Sequence, residues 1–233
     1  MHLPNRLGIA ALCILLLCSS LAPRGSAQPR ADYDCLQWRC IGPHRGGRTV
    51  GIDAVWKRPN IWYIGVNNGG VWRSTDYGRT WNPVFDTQPT GSIGCLAIAQ
   101  SRPDTVYVGS GEGLQRPDLS VGDGVYKTTD GGKTWKNMGL HDGQQIGGIA
   151  VDPRNPDRVF VAVMGHPYGP NEERGVFRTL DGGKTWKRTL YLDPHTGAPA
   201  VAMDPSNPKT LYADMWAAQQ APWENGEWQG DTS

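Results

Sequence analysis

Two segments concentrate the side chains that could do chemistry. "GEGLQRPDLSVGD" carries Glu112, Arg116, Asp118 and Asp123, and "GHPYGPNEERG" carries His166, Tyr168, Glu172, Glu173 and Arg174. Cleaving a glycosidic bond requires two carboxyl groups facing each other across it, one of them protonated. Glu112 with Glu172 or Glu173 is the candidate catalytic pair. The alternative is that Glu173 and Arg174 are solvated loop charges and Glu112 closes a turn, because charged side chains mostly stay exposed. His166 and His141 stand unpaired in loops, where neither metal binding nor proton shuttling is the usual role. The last segment adds Trp216, Trp223 and Trp228. Exposed, they would stack on sugar rings or anchor a protein; buried, they would cover a neighbouring element.

The elements that must position these loops are written in a repeat. "STDYGRTW", "TTDGGKTW" and "TLDGGKTW" place Asp76, Asp130 and Asp181 at intervals of 54 and 51 residues. Pro59, Pro103, Pro156 and Pro208 mark a second feature at intervals of 44, 53 and 52. Each unit of about fifty residues reads as a short apolar run, a Pro turn, a β-branched and aromatic run, a variable loop, a third strand and the octapeptide turn. Four short antiparallel strands per repeat of this length describe one blade of a β-propeller. The expected fold is therefore an all-β propeller, with blades at about 36–86, 91–140, 144–192 and a partial one at 197–233.

The octapeptide reads as structural rather than catalytic. Its Asp accepts backbone N–H groups of its own turn, and Ser74, Thr128 or Thr179 adds a hydroxyl contact. Gly78, Gly132 and Gly183 supply positive φ. Trp81, Trp135 and Trp186 are expected to cover the hairpin and pack against the next blade. Each repeat offers one carboxylate, too few for calcium. No metal or cofactor is expected: the cysteines lack zinc spacing, and "RGGR" (Arg45–Arg48) lacks the strand–loop–helix setting of a phosphate loop.

Placed on propeller geometry, the loops joining second to third strands share one face with the blade-to-blade links. The Asp turns lie on the opposite face. Candidate ligand-binding residues on the loop face are Asn67, Asn68, Arg116, Asp123, His166, Tyr168, Arg174, Trp216, Trp223 and Trp228.

These turns match S/T-x-D-x-G-x-T-W, the Asp-box or BNR repeat. With "LQWRCIGPHRGGRTVGI" (Leu36–Ile52) and "NNGGVWRSTDYGRTW" (Asn67–Trp81), the chain resembles secreted bacterial sortilin-N-terminal-like and BNR-repeat glycosyl-hydrolase-like proteins. The resemblance implies a propeller that binds a polysaccharide, peptide or protein; a xyloglucanase-like or sialidase-like hydrolase is the second implication. Xyloglucanase-like hydrolases carry an Asp two residues before the Gly-Gly, where this chain has Asn67, and an amide cannot serve as a general acid. No third arginine or Tyr–Glu pair completes a sialidase-like set around Arg45 and Arg48.

Arg6, the apolar run Leu7–Leu17 and Ala27 before Gln28 form a signal-peptide pattern over residues 1–27. Export to the periplasm or exterior is expected, with residues 28–233 as the propeller segment and no membrane-embedded part. The chain has 23 basic and 22 acidic residues, and losing Arg6 and Arg24 with the leader leaves a formal charge of −1. That balance gives no positive face for nucleic acid. Export permits a local Cys35–Cys40 disulfide; three free cysteines, Cys95 included, are the equal alternative. A fourth Asp turn falls due near or just past position 233. The sequence-level expectation is therefore a fragment whose partners include the remainder of its own propeller.

Overall fold

The computed structural model describes residues 47–114 and 119–217. The expected signal peptide, Cys35, Cys40, Arg116, Trp223 and Trp228 lie outside them.

The described residues are all-β. Blade one comprises β1 (Thr49–Ala54), β2 (Trp62–Val66), β3 (Gly70–Ser74) and β4 (Asn82–Pro83). Blade two comprises β5 (Ile93–Ile98), β6 (Val106–Ser110), β7 (Val125–Thr128) and β8 (Lys136–Asn137). Blade three comprises β9 (Ile146–Val151), β10 (Val159–Val163), β11 (Gly175–Thr179) and β12 (Lys187–Leu190). A two-stranded half-blade follows, β13 (Gly197–Met203) with β14 (Leu211–Trp216). Within each sheet, neighbours in sequence pair antiparallel.

Sheets meet face to face because both faces of a central blade are apolar. Strand alternation sends Tyr63 and Val71 of blade one toward Leu96, Val108 and Tyr126 of blade two, a cluster closed by Phe85. Tyr107, Val125 and Leu140 of blade two meet Ile146, Val161 and Phe177 of blade three in the same way. Phe160, Ala162 and Val176 then meet Ala198, Val201 and Leu211 of the half-blade. Each large side chain so buried is worth about 1.5–3 kcal/mol.

The three Asp-box turns are near copies. Ser74 Oγ donates to Asp76 Oδ1 at 2.8 Å and accepts the Gly78 N–H at 2.8 Å. The same Asp accepts Thr80 N–H and Oγ1–H at 2.9 and 2.7 Å. Thr128–Asp130–Thr134 and Thr179–Asp181–Thr185 repeat the pattern. Gly78, Gly132 and Gly183 have φ of 81, 93 and 95°, where an L side chain would be strained.

The Trp direction differs from expectation. Trp135 Nε1 donates to Val84 O at 2.6 Å, and Trp186 Nε1 to Met138 O at 2.7 Å. Each indole therefore reaches back to the preceding blade, not forward to the next. The turn itself leans on the Pro turn of its own blade: Gly131 N–H bonds Asp104 O, and Gly182 N–H bonds Asp157 O, both at 2.9 Å. Asp104 and Asp157 follow the repeated prolines of blades two and three, so each of these contacts ties a blade's Asp-box to its own first turn; the indole crosses to the preceding blade, and that blade answers with Tyr63 Oη to Gly131 O and Lys127 Nζ to Gly182 O.

Candidate functional site

The face opposite the Asp-boxes carries the turn after β2, the loops after β6 and β10, and the links between blades. In the first turn, Asn68 adopts φ of 57° and Gly70 of 70°, which turns the chain sharply enough to bury Asn67. The Asn67 N–H bonds Arg48 O at 2.9 Å. Its Nδ2 donates to Glu112 Oε2 at 3.2 Å, so a blade-one amide reaches a blade-two carboxylate. Asn67 Oδ1 has no hydrogen-bond partner among the described residues.

Glu112 is 1% exposed. Its Oε1 accepts the Ser120 N–H at 3.1 Å, and its own N–H donates to Gln145 Oε1 at 2.5 Å. Gln145, equally buried, also receives the Gly113 N–H and donates to Ser120 O. The net Asn67–Glu112–Ser120–Gln145 thus ties the turn of blade one, the loop of blade two and the link into blade three. Asp123 is spent inside blade two: its carboxylate accepts the Tyr126 hydroxyl at 2.7–2.8 Å. Burial, with Asp123 beside it, pushes the Tyr126 hydroxyl up to about 12.

The blade-three loop is braced from within. Arg174 is fully buried, and its guanidinium donates to the carbonyls of Met164, His166 (2.6 Å) and Gly169 (2.9 Å). Burial pulls its pKa down, against Asp193 and Tyr191. Asn171 receives the His166 N–H and donates to Asp142 O. His166 Nε2 lies 2.7 Å from Asp142 Oδ1, joining this loop to the one-turn 3-10 helix His141–Gly143.

Glu112 and Glu172 are held by different partners. Glu172 is largely exposed in the loop between β10 and β11, 3.5 Å from Arg188 Nη1 on β12 and 3.2 Å from the Tyr191 hydroxyl just after it. Arg188 stacks on the Tyr191 ring at 3.8 Å. Glu173 has one carboxylate oxygen, Oε2, buried without a hydrogen-bond partner among the described residues. Asn68, Tyr168 (43% exposed) and Trp216 (42% exposed) present their side chains to solvent. Gln145 lies in the blade-to-blade link His141–Gln145, which the sequence places on the candidate face, but no repeated motif singles it out. Asp53 was missed. Its carboxylate accepts Ile98 N–H and Ala54 N–H at 2.8 Å, stitching β1 to β5; burial pushes its pKa up against those two bonds.

A family model described as "Sortilin, neurotensin receptor 3" matches residues 69–190. A xyloglucanase of Paenibacillus sp is 26% identical over 220 residues, which cover 88% of this chain and 20% of that enzyme. The chain therefore spans about a fifth of that relative's length. An ancestral GH74 enzyme superposes with TM-score 0.55 at 21% identity, over 76% of this chain and 23% of the enzyme. An auxiliary nutrient binding protein from Bacteroides thetaiotaomicron superposes with TM-score 0.51 at 15% identity, over 72% of this chain and 36% of the other. At these identities the two structures speak for the propeller fold alone.

Proposed function

The chain belongs to the Sortilin-Vps10 family of Asp-box propellers, and on that premise we propose that it is an exported binding module whose loop face engages a polysaccharide chain. The observation that carries this reading is the state of Glu112. A general acid must approach a leaving oxygen and exchange its proton. Both Glu112 oxygens are instead committed to Asn67 and Ser120 in a buried net. Such a net favours rigid presentation: loops fixed before binding lose little conformational entropy on contact. Tyr168 and Trp216 supply ring faces suited to pyranoses, and Asn68 a hydrogen-bonding amide beside the first turn. Kinship with a xyloglucanase favours a polysaccharide over a peptide.

Among the described residues no helix is long and apolar enough to cross a membrane. Export rests on the leader pattern in residues 1–27; mass spectrometry of exported protein should find an N-terminus at Gln28, and an intact Met1 would remove that part of the reading.

The binding test is a glycan array that includes xyloglucan, run beside a reducing-sugar assay. Retention without release of reducing ends is expected, with retention weakened in Tyr168→Ala and Trp216→Ala. Release of reducing ends that disappears in Glu112→Gln would overturn the binding reading in favour of hydrolysis.

A further inference from the structure

The loop after β10 is built around a cation. Arg174 is fully buried and closes that loop just before β11. The repeat does not call for it. The residue ahead of the Gly-Val that enters the third strand is Gly69 in blade one, Asp123 in blade two and Arg174 in blade three. No carboxylate among the described residues forms an ion pair with Arg174, and its Nε is buried without a hydrogen-bond partner among them. Burying an unpaired charge is unfavourable, and an apolar chain of similar length would fill the space without that cost. Bulk stability therefore does not account for an arginine here.

What the guanidinium holds is a turn. Pro167 and Tyr168 are the turn residues. Arg174 Nη2 donates to the carbonyls that flank them, His166 O at 2.6 Å and Gly169 O at 2.9 Å, while Nη1 donates to Met164 O. A planar fork reaches several acceptors at once, which a single ammonium does not. Asn171 locks the same turn from its other side. Its Oδ1 accepts the His166 N–H at 2.9 Å, its Nδ2 donates to Asp142 O at 2.9 Å, and its N–H donates to Pro194 O at 3.1 Å. The loop closes tightly on the arginine: a Cβ at Gly165, where φ is 87°, would stand 2.5 Å from Arg174 Cγ and collide with Asn171 Oδ1.

We propose that Arg174 is a positioning residue for a bound sugar: without touching it, the guanidinium fixes the turn that carries Tyr168 and so presents that ring in one orientation. The inference rests on the polysaccharide reading of the loop face. A platform fixed before contact loses little conformational entropy on binding.

Two measurements on the full chain test this: hydrogen exchange of the free protein by mass spectrometry, and affinity for soluble xyloglucan by calorimetry. In Arg174→Lys and Arg174→Met, exchange of the peptide spanning Met164–Asn171 should quicken at least about tenfold while β6 and β10 keep their protection. Affinity should fall at least about fivefold. Gly165→Ala, which crowds the arginine without removing it, should act in the same direction. In a Tyr168→Ala background, Arg174→Met should weaken binding no further, because the arginine acts through that ring. Unchanged loop exchange, quickening that spreads equally to β6 and β10, full rescue by lysine, or an undiminished affinity loss in the Tyr168→Ala background would each overturn the proposal. A wild type that does not bind xyloglucan overturns the polysaccharide reading itself, and exchange in the free protein then decides the clamp alone.

Discussion

At the scale of single residues, the Asp-box hydroxyl and carboxylate divide the work. Thr128 is 1% exposed; its Oγ1 accepts the buried Gly132 N–H at 3.0 Å and donates to Asp130 at 2.7 Å. Thr128→Val keeps the shape and removes the acceptor. It should cost about 1–3 kcal/mol, the penalty of a buried donor without a partner, read as a lowered denaturant midpoint with unchanged slope. The carboxylates set an acid limit. Bonds from Thr80 and Ser74 hold Asp76 down to about 2, against an ordinary 3.8, and Asp130 and Asp181 are held lower still by Thr134 and Thr185. A carboxylate with a depressed folded pKa stabilises the fold fully above the unfolded value, and that contribution fades as pH falls through the folded one. The melting temperature should therefore drop as pH goes from 3.8 toward 2, and Asp76→Asn should flatten part of that drop. A melting temperature that rises over this interval would contradict the assignment.

At the scale of elements, the repeat was legible and its direction was not. Three octapeptides and four prolines gave the strand order and the two-faced arrangement, because turns and strand ends are written in local residue types. Spacing alone cannot say whether Trp135 looks forward or back; that depends on sheet stacking, which brings Val84 O beneath the indole. Glu112 was read from its place in a loop, where charge is usually exposed, and only the tertiary net with Asn67 and Gln145 buries it. Trp135→Phe should retain the edge contact with Phe85, whose centroid is 5.1 Å away, and lose the bond to Val84 O. A loss of about 0.5–1.5 kcal/mol is expected in equilibrium unfolding. Glycines make a sharper contrast. Gly124 has φ of 101°, and an added Cβ would stand 2.1 Å from Gly139 O, whereas at Gly169 it would meet nothing within 4 Å. Gly124→Ala should therefore unfold the blade-two hairpin or lower stability far more than Gly169→Ala, which should sit near neutral.

At the scale of the molecule, blades in series behave as a one-dimensional array in which each stabilises only its neighbours. Blade two is covered on both faces by apolar clusters, and every residue of β6 is buried. β10 is equally buried, between blade two and the half-blade. In β14, by contrast, Tyr212, Ala213, Asp214 and Trp216 are exposed, and β13 is its strand partner. Opening the half-blade breaks one interface, whereas exposing β6 requires breaking two. Amide exchange tracks the free energy of the smallest opening that frees each N–H. At micromolar concentration, Val106–Ser110 and Val159–Val163 should exchange slowest and Leu211–Trp216 fastest, by mass spectrometry of peptides spanning each strand. Equal protection of β14 and β6 in dilute solution would mean that the array does not open from the half-blade.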